Sequence, residues 1–127
     1  KRIQDAVTTG KGLEQLPPDI RRQVDNAEFQ SLLLNDPAKT IPDVRQPILI
    51  VQGELDTQVE PENADRLAAL ARGRKNARPV ELVKIPGVNH LLAPATTGEI
   101  EEYRTLKDKQ VSPAVTDSIV TWLKKTL

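Results

Sequence analysis

An α/β fold with parallel strands is what this sequence predicts, on three observations. Ile48–Val51 is an apolar run without polar alternation, the pattern of a strand covered on both faces. A helix signature with marked ends follows it, and a second strand-rich run follows the helix. The order strand, helix, strand, helix then requires parallel pairing through a right-handed crossover.

Residues 1–36 read as helical pieces around a proline stop at Leu16-Pro17-Pro18-Asp19. Asp25 and Glu28 have capping-box spacing ahead of Phe29-Gln30-Ser31-Leu32-Leu33-Leu34, a short helix ending near Asn35. Asp36–Pro47 holds three prolines and no apolar periodicity, so it reads as an extended connector and a domain boundary. The first strand is Ile48–Gly53. In the next segment Pro61 suits a first helical turn, Glu60, Glu62 and Asp65 favour its positive end, and Arg72 with Gly73 suit its close. Ala64, Leu67, Ala68 and Ala71 fall on one face.

Pro79–Pro86 is the second strand, shorter and nearer an edge, with Val80, Leu82 and Lys84 alternating with Glu81, Val83 and Ile85. A long loop, Gly87–Val111, leads to a last helix with Ser112 as cap and Pro113 as first residue. Its expected buried stripe is Val115, Ile119, Trp122 and Leu123. Two strands alone make a poor sheet, so the sequence reads as part of a larger chain. The absence of any methionine, with Lys1 first, points the same way.

Composition narrows the function. The 127 residues suit one modest domain, and an apolar content of 38% gives a lean core. Eighteen basic residues balance eighteen acidic ones, and only Phe29, Tyr103 and Trp122 are aromatic. Neither an electrostatic footprint nor a stacking platform for nucleic acid is present, and nothing argues for an anionic membrane as partner. The longest apolar run is far too short to span a bilayer. Without cysteine there is no disulfide framework or thiolate metal site, and the compartment stays open.

Two residues carry the chemistry. Asp56 lies just past the carboxyl end of the first strand, the edge where open α/β sheets collect functional groups. His90, the only histidine, lies four residues past Pro86 at the same edge. Alone, Asp56 reads as a turn former or cap and His90 as a structural imidazole. Together, on strands about 5 Å apart, they read as a catalytic pair: the carboxylate fixes the tautomer and stabilises the imidazolium. Thr8–Gly12 lacks Walker spacing and reads as a flexible loop. Gly53 and Gly87 match no dinucleotide fingerprint and read as turns, and one histidine argues against a catalytic zinc site, which needs a ligand cluster. No cofactor is expected. Glu99–Arg104 reads as a solvated turn or short helix that could flank a site entrance.

At these residues the sequence resembles the C-terminal part of an α/β-hydrolase, closest to the esterase and serine-aminopeptidase-like branch. The likeness lies in Pro47–Pro61, then Val83–Leu92, then the closing amphipathic Val111–Leu127. It covers about Asp36 to Leu127, and the 34 residues between Asp56 and His90 (90 − 56) suit that family's acid-to-histidine interval. The resemblance implies two parallel strands with flanking helices over 37–127, preceded by a helical cap remnant over 1–36. It implies Asp56 as the acid, His90 as the general base, and hydrolysis of a small-molecule ester, thioester or amide. The family's chain order is nucleophile, acid, histidine. The three serines, Ser31, Ser112 and Ser118, lack the G-x-S-x-G elbow. The nucleophile, whether Ser, Cys or Asp, is therefore expected in a missing N-terminal half or a companion chain, and this segment alone is expected to be inactive. The competing expectation is a noncatalytic α/β module that associates with a partner chain.

Overall fold

A computed structural model describes Ala6, Thr9, 11–75 and 78–127. Its contacts divide the chain into two units, Lys1–Pro37 and Ala38–Leu127. Of Thr8–Gly12, the expected flexible loop, Thr8 and Gly10 lie outside the described residues.

In the first unit a 3-10 turn, Leu13–Gln15, precedes helices α1 (Pro18–Val24) and α2 (Ala27–Leu34). The expected proline stop is a start, because Pro18 opens α1, where its fixed φ suits a first turn and its missing N–H costs no bond. The cap of α2 is also one residue later than expected. Asn26, in extended conformation, accepts the N–H groups of Glu28 and Phe29 at its side chain, and Asp25 does not cap. Asn35 closes α2, donating its N–H to the Ser31 and Leu32 carbonyls.

Asp36–Pro47 is coiled over residues 37–43 and returns to extended backbone only at Val44. It forms one helical turn, α3 (Pro37–Thr40), and a 3-10 turn, Ile41–Asp43. Pro37 and Pro42, two of its three prolines, sit at the starts of these turns, where their geometry favours coiling over extension.

Strands β1 (Ile48–Gly53) and β2 (Val80–Ile85) pair in parallel, with Ile48 opposite Val80 and Gly53 opposite Ile85. Each has six residues, so β2 is not the shorter, and in a two-stranded sheet each is an edge. Helix α4 (Pro61–Arg72) connects them, and α5 (Pro113–Thr126) closes the chain.

Alternation along the strands assigns one helix to each sheet face. Ile50 packs with Ala64 and Ala68 of α4, and Ile48, Leu67, Val80 and Leu82 close around them. Ile85, Val88 and Val115 of α5 form the other cluster, joined by Val51, Val83 and Leu92. Polar residues follow the same alternation. Lys84 reaches Asp65 at 2.6 Å, and Glu81 reaches Lys125 at 2.9 Å. Both pairs are exposed and worth at most about 1 kcal/mol each.

Coverage is incomplete. In β1 only Ile50, Gln52 and Gly53 are fully buried, and β2 is half-buried except at Ile85. The expected stripe of α5 is buried only at Val115; Ile119 and Leu123 are each 39% exposed, and Trp122 is half-buried. The reason is width: two strands about 5 Å apart cannot cover a helix about 10 Å across.

Candidate active site

The carboxyl ends of both strands are tied together before any site side chain enters. Glu54 donates its N–H to the Ile85 carbonyl (3.0 Å), and Leu55 donates to the Val88 carbonyl (2.9 Å). Gly53 makes that approach possible: a Cβ there would lie 2.3 Å from the Val88 oxygen and 2.9 Å from the Asn89 oxygen. Gly53 is thus both the last strand residue at a close backbone crossing and the first residue of the expected turn, its carbonyl accepting the Asp56 N–H (3.3 Å). Gly87 also lies in a turn, at φ 69°.

Asp56 then folds back on its own loop. Its Oδ1 accepts the N–H groups of Gln58 (3.0 Å) and Val59 (2.8 Å), the hydrogen bonding of an Asx turn. Its Oδ2 accepts from Gln52 Nε2 (3.1 Å) and faces His90 Nδ1 at 3.0 Å. The structural role that a lone Asp suggests is therefore real, and it coexists with the contact to histidine. Asp56 is 8% exposed, so burial pushes its carboxyl pKa up. The Val59 N–H, His90, the Gln58 N–H and the Gln52 amide outweigh that and hold it below the ordinary carboxylate value.

This settles the proton arrangement at neutral pH. An ionised carboxylate only accepts, so His90 Nδ1 carries the proton and donates it to Asp56. In the neutral imidazole Nε2 is then the basic nitrogen. His90 is more open than its partner, with 39% of its side chain exposed against 8% for Asp56.

Asn89 shapes the turn that carries His90. It is fully buried, and its Oδ1 accepts the N–H groups of Leu91 (3.0 Å) and Ala93 (3.2 Å). Its own N–H donates to the Ala93 carbonyl, and Leu92 N–H donates to the Asn89 carbonyl. Its Nδ2 has no acceptor among the described residues. Leu92, at φ 59°, accepts the Ser112 N–H at its carbonyl (2.8 Å), which ties the start of α5 to the histidine turn.

The structure thus brings Asp56 and His90 into hydrogen-bond contact. No hydrogen bond joins His90 to a serine among the described residues. Ser31 lies within α2, Ser112 precedes α5 with its backbone N–H engaged, and Ser118 donates its hydroxyl to the Ala114 carbonyl (2.7 Å). Glu99–Arg104 includes a 3-10 helix, Ile100–Arg104, as the charge cluster suggests. Glu102 within it is only half exposed, however, and bonded on both oxygens. Sequence reasoning missed Gln52 and Asn89, and it took Glu102 only as part of a solvated charge cluster. Only Gln52, a lone polar residue in an apolar strand, gave a local signal.

Compared with known proteins, residues 15–125 match the family model described as the prolyl oligopeptidase family. No curated protein and no solved structure matches.

Proposed function

Because the chain belongs to the prolyl oligopeptidase family, a hydrolase family of α/β-hydrolase fold, we propose that it supplies the acid and the general base of an acyl-transfer site. Asp56 is the acid, His90 the base, and the bond cleaved is an amide, ester or thioester. We put peptide amides first among these, because the family is named for an oligopeptidase. One observation carries the reading: two residues 34 apart in sequence meet at 3.0 Å, with the carboxylate held ionised and the imidazole side chain 39% exposed.

In this mechanism His90 Nε2 takes the proton of a nucleophile as that group attacks the substrate carbonyl. Asp56 holds the imidazolium so formed. His90 then returns the proton to the departing amine, alcohol or thiol, leaving an acyl-enzyme. Water, deprotonated by the same nitrogen, releases the acid. The nucleophile belongs to a segment outside these 127 residues, and a serine at a strand-to-helix elbow is the family-consistent choice. Residues 1–36 are, on this reading, the remnant of a helical cap.

The test is labelling of the intact gene product with a fluorophosphonate probe. We expect the label upstream of Lys1 and a loss of about 10³-fold or more in labelling rate on His90→Ala. Absence of any labelled nucleophile in the intact product would sink the proposal. A second reading, a noncatalytic module docked on a partner chain, is favoured by the exposure of Ile119, Val120 and Leu123 on α5. It predicts that Asp56→Ala and His90→Ala leave partner binding intact and that no probe reacts.

A further inference from the structure

Beyond the pair itself, one carboxylate is built into the loop that braces the acid. Glu102 Oε1 accepts the Thr96 N–H (2.7 Å), and Oε2 accepts the Thr97 N–H (2.9 Å), the Thr97 hydroxyl (2.8 Å) and the Gly98 N–H (2.9 Å). Three consecutive backbone donors converge on one anion, an arrangement that fixes the conformation of residues 96–98.

What that turn touches is the acid loop. Gly98 sits at φ 79° against Leu55, so close that a Cβ would overlap the Leu55 carbonyl oxygen. Its own carbonyl accepts the Thr57 hydroxyl (3.1 Å). One residue past Glu102, the Tyr103 hydroxyl accepts from Gln58 Nε2 (2.7 Å), and the Gln58 N–H is one of the donors to Asp56. Residues 55, 57 and 58 are therefore held from one side by 98 and 103, and Asp56 lies among them.

We infer that Glu102 is a positioning residue for the Asp56–His90 pair, acting through Gly98 and Thr57 without touching substrate. The inference rests on the reading of the pair as acid and base. With the carboxylate in place, the Gly98 turn presses and bonds the acid loop into the geometry that meets His90 Nδ1. Without it, three backbone donors lose their acceptor, the turn relaxes, and Leu55 and Thr57 lose their support. The depressed pKa of Glu102, about 2, keeps this carboxylate charged through the neutral range.

In the intact gene product labelled with ¹⁵N at histidine, the His90 imidazole is identified as the signal that His90→Ala removes. The readout is the exchange rate of the His90 Nδ1 proton with water, together with the ring ¹⁵N shifts. We expect Glu102→Ala to accelerate exchange on the order of tenfold, within the coupling range of residues sharing one hydrogen-bond network. Thr57→Val shifts it in the same direction, Thr57→Ser restores the wild-type rate, and Glu102→Ala with Thr57→Val accelerates it by less than the product of the two. If Asp56→Asn accelerates exchange and Glu102→Ala does not, the inference fails while the pair stands. If Asp56→Asn itself changes nothing, the reading of the pair falls, and the inference with it. Should Glu102→Ala unfold the chain, the Thr57 variants decide: faster exchange with valine but not serine supports the inference, and equal rates overturn it.

Discussion

A carboxylate has about four acceptor positions, and Asp56 uses all of them within its own neighbourhood: two backbone N–H groups, one amide and one imidazole. Losing this acceptor strands its donors, the buried Gln52 amide among them, so its contribution to geometry is not separable from its contribution to charge. The same crowding makes Gly53 intolerant. A methyl group there meets two backbone oxygens, neither of which can rotate away as a side-chain end would. We expect Gly53→Ala to cost about 1–3 kcal/mol, the usual penalty of overpacking, and to perturb the His90 ring resonances, as urea unfolding and NMR would show. An unchanged midpoint would mean that the two strand ends separate easily. Asp56 and His90 were legible in the sequence because each lies a few residues past an apolar strand, where topology alone brings them near. Asn89 was not, because its partners, the N–H groups of Leu91 and Ala93, become partners only once the turn has formed.

Among the elements, the strands and α4 were readable from pattern and the connectors were not. Ala64, Ala68 and Ala71 fall on one helix face whatever surrounds them, and all three are buried. The prolines of Asp36–Pro47 are ambiguous, since a fixed φ near −65° serves an extended chain and a turn equally. What selects the turn is tertiary: Arg74, 7% exposed, donates from its guanidinium to the carbonyls of Ala71, Val44, Gln46 and Arg78. No sequence spacing announces a cation whose acceptors lie up to 30 residues away. This one side chain joins the end of α4, the entry to β1 and the approach to β2. Arg74→Met keeps much of the buried stem but leaves those carbonyls without their donor. We expect it to lower stability by about 1.5–3 kcal/mol, the scale of hydrogen bonds to a charged group, with Lys recovering only part because an ammonium lacks the planar fork. Equal urea midpoints for Arg74→Met and wild type would refute this role.

Taken whole, the chain couples a thin hydrophobic framework to strongly bonded anions, and that combination sets how its stability depends on pH. Each sheet face carries one helix and a small cluster, so the apolar contribution is modest and independent of pH. Two carboxylates, by contrast, have folded-state pKa values below their ordinary ones. Glu102 falls from 4.5 to about 2, through the Thr96 N–H first and then the Thr97 hydroxyl, the Thr97 N–H and the Gly98 N–H. Asp56 is lowered because its hydrogen bonds outweigh its burial. In both cases the unfolded chain takes up a proton at a higher pH than the folded chain, so the unfolded state binds more protons across the window and stability rises with pH there. The contribution of Glu102 is complete above about 4.5 and is lost as pH falls toward 2; that of Asp56 is lost in the same direction, below its ordinary value of 3.8. Urea midpoints taken from pH 6 to pH 2 are therefore expected to drop through this interval. Glu102→Gln, which cannot ionise, flattens part of the drop, and Asp56→Asn flattens another. The two variants combine less than additively if Gly98 and Thr57 link the two carboxylates mechanically, because loosening either one already releases the loop that the other holds. Wild-type slopes in both single variants would mean that acid unfolding is governed by other groups.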